Sequence, residues 1–544
     1  MPDIEVPVLI VGGSLVGMSA ALLLGYHGIG ALAVEHHRGT AIHPRAALIN
    51  QRTMEIFRTA GIEREVCEKS GEQFDQDGAI MAVETLAGKE LAWYIANLNE
   101  KVRDVSPCAR VFVTQSGLEP LLQRRAAELG AELRFGTAMT SFEQDEDGVT
   151  AVIRDRDTGR TQTVRARYMI AADGSHSRVR ESLGIRMPGR GVFSNSVTIY
   201  FRASVGPLMR GRNLSVIMVV NPTLRGFFRI EKPYESGFLA VHTIGDPARP
   251  ETNVSNGLTS ERCLEYVHAA LGTDEVPVTI ENVMQWQSTA DVAERFCQGR
   301  VFLAGDSAHV MPPYGGFGGN TGIHDAHNLA WKLALVLKGI AGPELLSTYE
   351  SERRPASAFT VEQAYSRYVT RAAAYLGTAG MQPLEDDLNI ELGYCYGAGP
   401  LHENPRESKG RPGTRAPHVW LERNGEKIST LDLFGRNFVL LAGPEGRKWR
   451  ECAGTGVEAL QTGEDGIADP DGAFPGAYGI TPSGAVLVRP DGFIGWRRKS
   501  SVDASPQAIS DALASLLRGG TQSDDEGKTG IAGDVAGGSG EQGD

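Results

Sequence analysis

Six residues that close an apolar run, Gly12-Gly13-Ser14-Leu15-Val16-Gly17 after Val6–Val11, have the spacing of a turn in which a helix N-terminus meets a phosphate. In this phase Gly12 permits the tight turn, Gly17 lets helix and strand approach, and Ser14 stands where a second glycine is usual. Starting at Gly13 instead puts Leu15 and Met18 at glycine positions. The helix dipole contributes only about 0.3–1 kcal/mol to a bound anion, so backbone N–H groups must carry much of the recognition. A Cβ at Ser14 either holds the ligand away or brings a hydroxyl that donates to it. Glu35, 23 positions after Gly12, offers two acceptor oxygens to an adenosine ribose and repels a 2′-phosphate. A tight connection with no ligand uses the same first glycine, so the segment needs company.

Two further segments supply it. "YMIAADGSHSRVR", Tyr168–Arg180, carries Asp173-Gly174 with Arg178 and Arg180; "GRVFLAGDSAHVMPPYGGFGGNTGIHDAHNLAWKLA", Gly299–Ala334, carries Asp306, then Pro313, Gly315, Gly316, Gly318, Gly319 and Asn320. In each, a strand runs into Asp-Gly or Gly-Asp and a small-residue turn, as backbone approach to a ligand requires. Asp325 with His324 and His327 invites a metal reading, but the trio sits at a helix start with no third ligand at metal spacing, so we expect no metal site and assign it to capping or packing. Ser307 and His309 lie in "GDSAH", which is not a GxSxG nucleophile elbow.

The elements that position these residues follow from periodicity. Pro7–Val11 reads as a buried strand, Met18–His27 as a helix ended by Gly28, and Ala31–Glu35 as a second parallel strand, a βαβ unit. Ser116–Leu129 has helical period; Glu132–Phe135, Val149–Arg154 and Thr161–Ile170 read as strands. From Ser194 to Thr243 the pattern becomes helix-free alternation, "NSVTIYFRA", "LSVIMVV", "GFFRIE" and "GFLAVHT", an antiparallel sheet inserted into the nucleotide-binding unit. A turn-rich stretch precedes a small α/β pattern from Val419 to Leu517, and Gly519–Asp544 lacks the apolar residues that would offset ordering entropy.

A chain of 544 residues exceeds one core, and 41% hydrophobic with 22% charged residues is ordinary globular composition. A net charge of −13 with no basic block argues against nucleic acid and acidic membranes as partners. The six cysteines lie apart with no CxxC pair, which predicts reduced thiols and a cytoplasmic setting. The first apolar run has neither a cationic leader nor a cleavage site, and no segment approaches the roughly 18 apolar residues of a spanning helix.

The three glycine-and-aspartate segments, in this order, resemble the FAD-dependent aromatic hydroxylases, the group A flavoprotein monooxygenases. "HPRA" (His43–Ala46), "GYCYG" and "VRPDGFIGWR" are similar to the bacterial members that tailor aromatic polyketides, over roughly residues 5 to 517. Ser14, and Ser307 where alanine is usual, are departures. The resemblance implies an α/β fold: a Rossmann-like FAD-binding domain (1–185 and 286–400), an inserted antiparallel substrate domain (186–285) and a thioredoxin-like C-terminal domain (415–517); the tail (518–544) falls outside it and is expected to be disordered from its composition. Cys452 has no CxxC partner, so that third domain is expected to be structural, at the subunit interface of a homodimer.

By the same resemblance Gly12, Gly13, Ser14, Leu15, Val16 and Gly17 hold the FAD pyrophosphate, Glu35 the ribose and Asp306 the ribitol, while Arg45 and Gln115 approach from outside the first βαβ unit. Asp173 belongs to the turn used near FAD and the nicotinamide, and the loop from Pro313 to Asn320 tunes the flavin. Phe228, His242 and Trp286 are expected to line a substrate site between the flavin and the inserted sheet. No side chain performs oxygenation alone, so the implied activity is flavin-borne: NADPH or NADH reduces FAD, O₂ adds as a C4a-hydroperoxide, and one oxygen passes to a polycyclic phenolic polyketide. A Baeyer–Villiger oxygenation of a ketone, and a flavin protein that shelters an intermediate without oxygenating it, are the alternatives.

Overall fold

The computed structural model describes residues 1–42, 48–244, 253–397 and 399–520. The strand Ile4–Val11 alternates in burial over its first half and is wholly buried over its second, as expected where a parallel sheet is covered on both faces. It starts before the predicted Pro7 because Ile4, Glu5 and Val6 pair with Val164, Arg165 and Ala166. The helix Leu15–Tyr26 that follows is apolar nearly all round, and it packs between the helices Gln115–Glu128 and Phe317–Leu337.

The first sheet runs in the order Cys297–Gln298, Val301–Leu303, Thr161–Ala171, Ile4–Val11, Ala31–Glu35, Glu132–Phe135. The pairs from Val301–Leu303 through to Glu132–Phe135 are all parallel. Parallelism is what assembles the site: four strands end at one edge, delivering Gly12, Glu35, Asp173 and Gly305-Asp306 side by side. The hairpin Thr137–Gln144/Val149–Asp155 joins the other half of Thr161–Ala171 antiparallel.

The second sheet has the order Thr279–Ser288, Ser194–Arg202, Ser236–His242, Arg225–Glu231, Leu214–Val220, Ala79–Val83, Glu90–Ile95. It is antiparallel except for Leu214–Val220 against Ala79–Val83. It is thus wider than the 186–285 segment. The hairpin Ala79–Val83/Glu90–Ile95 joins it through a partner strand more than a hundred residues on, which no local period reveals. One sheet face, with Val197, Ile199, Phe201, Phe228, Leu239 and Val241, closes on the helix Ser260–Leu271. The other faces the cofactor unit.

The C-terminal unit is a mixed sheet, Val457–Gln461, Phe438–Ala442, Ala485–Val488, Ile494–Arg498, with the helix Pro506–Leu517 packed on its last strand. All six cysteines carry free thiols, and Cys452 is half-buried. Among the described residues no helix is long and apolar enough to cross a membrane. Most of the tail, residues 521–544, and Arg45 lie outside the described residues.

Candidate cofactor and substrate site

Gly12 has φ +104°, and a Cβ there would stand 2.1 Å from the carbonyl oxygen of Ala172. A Cβ on Gly17 would stand 1.8 Å from the carbonyl oxygen of Gly12, so both glycines are required by backbone approach. Ser14 is the N-cap residue of Leu15–Tyr26, but its hydroxyl caps nothing in that helix. It donates to Glu119 Oε1 at 2.6 Å and accepts from Gln115 Nε2 at 2.8 Å. The side chain is drawn sideways into Gln115–Glu128, and no serine hydroxyl competes for the first-turn N–H groups. Glu119 escaped the sequence reading, although Gln115 and Glu119 are one helical turn apart; its second oxygen accepts from the Ala41 N–H at 2.6 Å. The Glu35 carboxylate, buried at the end of its strand, accepts from the Gly13 N–H at 2.7 Å and the His37 N–H at 2.8 Å.

Asp173 accepts from Ser177 Oγ at 2.5 Å and the Val179 N–H at 3.1 Å, and so caps the short helix Arg178–Ser182. Of the two arginines expected beside it, Arg178 is exposed. Arg180 is buried, donating to the carbonyls of Ser307 at 3.1 Å and Ser175 at 3.0 Å and tying one aspartate turn to the other. Ser307 Oγ donates to the Ala171 carbonyl at 2.6 Å, a tie between neighbouring strand ends that alanine cannot make. Asp306 is exposed on the turn Gly305–Ser307.

Val16 is the point where three segments meet. Its Cγ2 is 2.8 Å from where a Cβ on Gly305 would lie and 2.5 Å from one on Gly322. Beneath this junction Asp325 Oδ2 holds the Gly305 N–H at 3.1 Å and His309 Nε2 at 2.7 Å, while Oδ1 accepts from Arg353 Nε at 2.9 Å. Burial alone would raise the Asp325 carboxyl, but His309 and Arg353 outweigh it and hold it below the usual range. His324 turns away, to Thr53 Oγ1 at 3.1 Å, so Asp325 and His324 serve separate contacts.

The loop from Pro313 to Asn320 carries two left-handed residues, Gly315 (φ +94°) and Gly316 (φ +67°), the latter capping Phe317–Leu337. Pro313 is exposed and its carbonyl accepts from the Gly316 N–H at 3.1 Å. Gly318 and Gly319 are half-buried, and a Cβ on Gly318 would come no nearer than 3.8 Å to Met311. Asn320 is buried: its Oδ1 accepts from the Asn50 N–H at 3.0 Å and its Nδ2 donates to the Leu48 carbonyl at 2.8 Å. Its amide fastens the loop to residues 48–50.

Beside this loop the second sheet presents Phe227 and His242, whose rings lie 6.4 and 5.7 Å from Tyr314. Trp286 stands edge-on to His242 at 5.9 Å and donates to Thr198 Oγ1 at 2.9 Å. His242 is 1% exposed, with Nδ1 2.9 Å from Ser196 Oγ. Its Nε2 has no partner among the described residues, and burial pulls its pKa down to about 4. Phe228 requires a correction: it points to the opposite face and packs on Phe201 at 6.0 Å in the core under Ser260–Leu271. Adjacent strand residues face opposite ways, and the site-facing member of the pair is Phe227.

Fold and site together define a parallel nucleotide-binding type of sheet whose glycine turns meet a separate antiparallel sheet lined with aromatic side chains. A family model described as FAD binding domain matches residues 5–364, and one described as aromatic-ring hydroxylase, C-terminal, matches residues 409–518. A 4-methyl-5-nitrocatechol 5-monooxygenase of Burkholderia sp is 51% identical over 538 residues, covering 95% of this chain and 98% of that protein. The tetracenomycin A2 monooxygenase-dioxygenase of Streptomyces glaucescens is 40% identical, covering 94% and 97%. Among solved structures, aklavinone-11 hydroxylase in complex with FAD and aklavinone superposes with TM-score 0.88 at 36% identity, covering 95% of this chain and 100% of that one. The chain belongs to the FAD-dependent aromatic-ring hydroxylases. Of the three activities left open by sequence, hydroxylation is therefore carried forward.

The glycine cradle makes a direct test. Gly17→Ala must displace the Gly12 carbonyl, and overpacking of about 1–3 kcal/mol predicts FAD binding weakened roughly 5- to 150-fold. Ser14→Gly removes a hydroxyl turned toward Glu119 and Gln115 and away from the first-turn N–H groups, so its effect on FAD affinity stays within about fivefold, roughly 1 kcal/mol. Fluorescence titration of apoprotein with FAD distinguishes them; equal affinities would contradict the cradle.

Proposed function

We propose that the enzyme hydroxylates a phenolic or catecholic ring seated between the loop Gly315–Asn320 and the sheet face of Phe227, His242 and Trp286, using NADPH or NADH and O₂. The balance is ring C–H, O₂, NAD(P)H and a proton in; ring C–OH, NAD(P)⁺ and water out. The observation that carries this reading is the buried aromatic face beside the loop, where His242 Nε2 and the hydroxyls of Tyr314 and Tyr368 have no hydrogen-bond partner among the described residues. Such an aromatic wall with a few unpaired polar atoms suits a planar ring bearing a hydroxyl.

Bound FAD supplies the redox chemistry and the activation of oxygen. For the chain's own residues, we assign the pyrophosphate to the N–H groups of the Gly12–Gly17 turn, the adenosine ribose to Glu35, the ribitol to Asp306 and the flavin's pyrimidine edge to the loop glycines. Asn320 keeps that loop in place. His242 is neutral at pH 7, so it orients a substrate hydroxyl by a hydrogen bond, with Ser196 holding the other ring nitrogen. The close-packed walls exclude water. The C-terminal unit, a parallel pair continued by an antiparallel hairpin, we read as thioredoxin-like with a structural role.

A single ring is the substrate size we favour. The relative at 51% identity is named for a nitrocatechol, and Tyr314, Tyr368 and His242 are in mutual ring contact at 5.2–5.7 Å, which leaves little breadth. The polyketide reading draws on relatives at 36–40% identity and on the bound aklavinone of the superposed structure. Turnover of catechols and of multi-ring phenols in ¹⁸O₂, with NAD(P)H consumption and peroxide followed together, tests both. Labelled hydroxyl on a single-ring phenol is expected. A labelled lactone, or all reducing equivalents recovered as peroxide, would overturn the proposal.

A further inference from the structure

Resting on that functional reading, we infer that Arg229 receives an ionised phenolic oxygen of the substrate and so selects the anionic form of the ring. Arg229 lies two residues after Phe227 on the strand Arg225–Glu231, on the same face, paired in register with Phe238. It is 6% exposed, and its guanidinium lies over Phe112 at 4.2 Å and Phe74 at 5.4 Å. Among the described residues no carboxylate stands within ion-pair distance, and Nη1 has no hydrogen-bond partner.

That isolation sets it apart within this chain. Among the described residues most other buried arginines hold acids: Arg52 and Arg415 share Glu55, Arg110 holds Glu391, Arg353 holds Asp325 and Arg489 holds Glu352, while Arg180 donates to two backbone carbonyls. A buried cation left without a partner is strongly unfavourable, and folded proteins keep one where a ligand or reaction uses it. Glu231, the titratable neighbour along the strand, is coupled to its charge but makes no ion pair with it. Burial lowers the guanidinium's pKa to about 9, still charged at neutral pH.

Its position is right for the reaction. The strand Val111–Phe112 under the guanidinium pairs with Leu48–Ile49, and Leu48 packs against Gly316 of the flavin loop, its Cβ 2.9 Å from where a Cβ on that glycine would lie. Arg229 therefore closes the gap between substrate sheet and cofactor unit, on the same sheet face as His242. A phenol that binds there as its anion, its proton having gone to buffer, carries more electron density at the ortho and para carbons. Those are the carbons that accept an electrophilic oxygen. The planar guanidinium offers parallel N–H donors to one ionised oxygen or to the adjacent pair of a catecholate.

The test uses FAD-loaded enzyme without NAD(P)H or oxygen, titrated with 4-nitrocatechol at a pH where the free ligand is largely protonated. Its absorption shifts on ionisation, so the spectrum reads the bound form directly. Wild type should bind it as the anion; Arg229→Gln should bind at least about tenfold more weakly and as the neutral phenol, and Arg229→Lys should keep part of the ionisation. Ligand-free Arg229→Met should melt no lower than wild type, because it removes an unpaired buried charge. Equal affinity and an equal spectrum in Arg229→Gln would overturn the inference while leaving the function standing. A lower melting point for Arg229→Met with unchanged ligand ionisation would do the same, marking the residue as structural. Failure of wild type to bind any phenol would overturn the functional reading itself.

Discussion

Glu352→Ala should destabilise the enzyme by about 3–5 kcal/mol, the usual consequence of removing one partner from a buried ionic group. Glu352 sits on the helix Glu344–Arg371 and receives donors from three directions. Arg489 of the C-terminal unit binds both its oxygens, at 2.6 and 2.9 Å, and Lys332 and Asn328 bind Oε2 at 2.7 Å each. Arg489 is fixed in turn by Asp491, whose carboxylate also accepts from Trp331 Nε1 at 3.1 Å and whose carbonyl accepts from Arg52 at 2.6 Å. This cluster joins the two units. Burial opposes ionisation of Glu352, but Arg489 and Lys332 outweigh it and hold the carboxyl far below its ordinary range. Lys332 is 0% exposed and its pKa is already drawn down to about 8 by burial, so without Glu352 it must lose its proton or its place.

The measurement is urea unfolding followed by tryptophan fluorescence. Wild type should unfold with the C-terminal unit coupled to the cofactor unit; Glu352→Ala should shift the midpoint down and separate a C-terminal transition. Glu352→Gln, which keeps hydrogen bonding but not charge, should fall between. The triple variant Glu352→Ala/Lys332→Met/Arg489→Met should recover part of the loss, since apolar replacement of a whole buried ionic group is often neutral or better. A loss below about 1 kcal/mol for Glu352→Ala would place it with surface pairs and contradict the proposed coupling.

Stability should also fall steeply as pH drops from 6.5 toward 4, before most carboxylates begin to titrate. Four imidazoles are buried in their neutral form. Burial, then Lys338 and Arg436, lowers His27 to about 3; burial lowers His242 to about 4; burial with Arg353 and Arg52 places His324 and His327 well below their ordinary range. A group with a depressed folded pKa binds its proton in the unfolded chain first. Its contribution is complete above the unfolded value of about 6.5 and is lost as pH falls toward the folded value. Each such group gives a slope of up to about 1.4 kcal/mol per pH unit, and four together about 5–6 kcal/mol per unit once well below pH 6.5. The depressed carboxylates Asp325, Glu55 and Glu352 add their own loss only below about pH 4.5, where unfolded glutamate and aspartate titrate. Urea midpoints at pH 8, 7, 6 and 5 should therefore be level, then fall. His324→Asn should remove one proton from the slope, and midpoints unchanged from pH 7 to 5 would refute the assignment.

Local pattern was enough to find the turns that the proposed function assigns to the cofactor. The apolar run into Gly12, the five-residue strand ending at Glu35, and the Asp-Gly and Gly-Asp turns are each written in neighbouring residues, because backbone geometry at a strand–turn–helix junction depends on a few side chains in a row. What Ser14 does was not local: its hydroxyl answers to Glu119, 105 positions away, which is held in turn by Ala41. The choice between Phe227 and Phe228 was not local either, since two adjacent aromatics satisfy a period of two in either phase. The helix Ser260–Leu271 decided it by closing over Phe228. The 79–95 hairpin needed a partner beyond Leu214, and Asn320 needed Leu48 and Asn50 before its amide had a function. Arg229 looks in sequence like any strand arginine. Only the assembled interface, where Phe74 and Phe112 cover it and no acid among the described residues reaches it, makes it a candidate to receive an anion, because burial and the lack of a nearby counter-charge are properties of distant chain segments meeting in space.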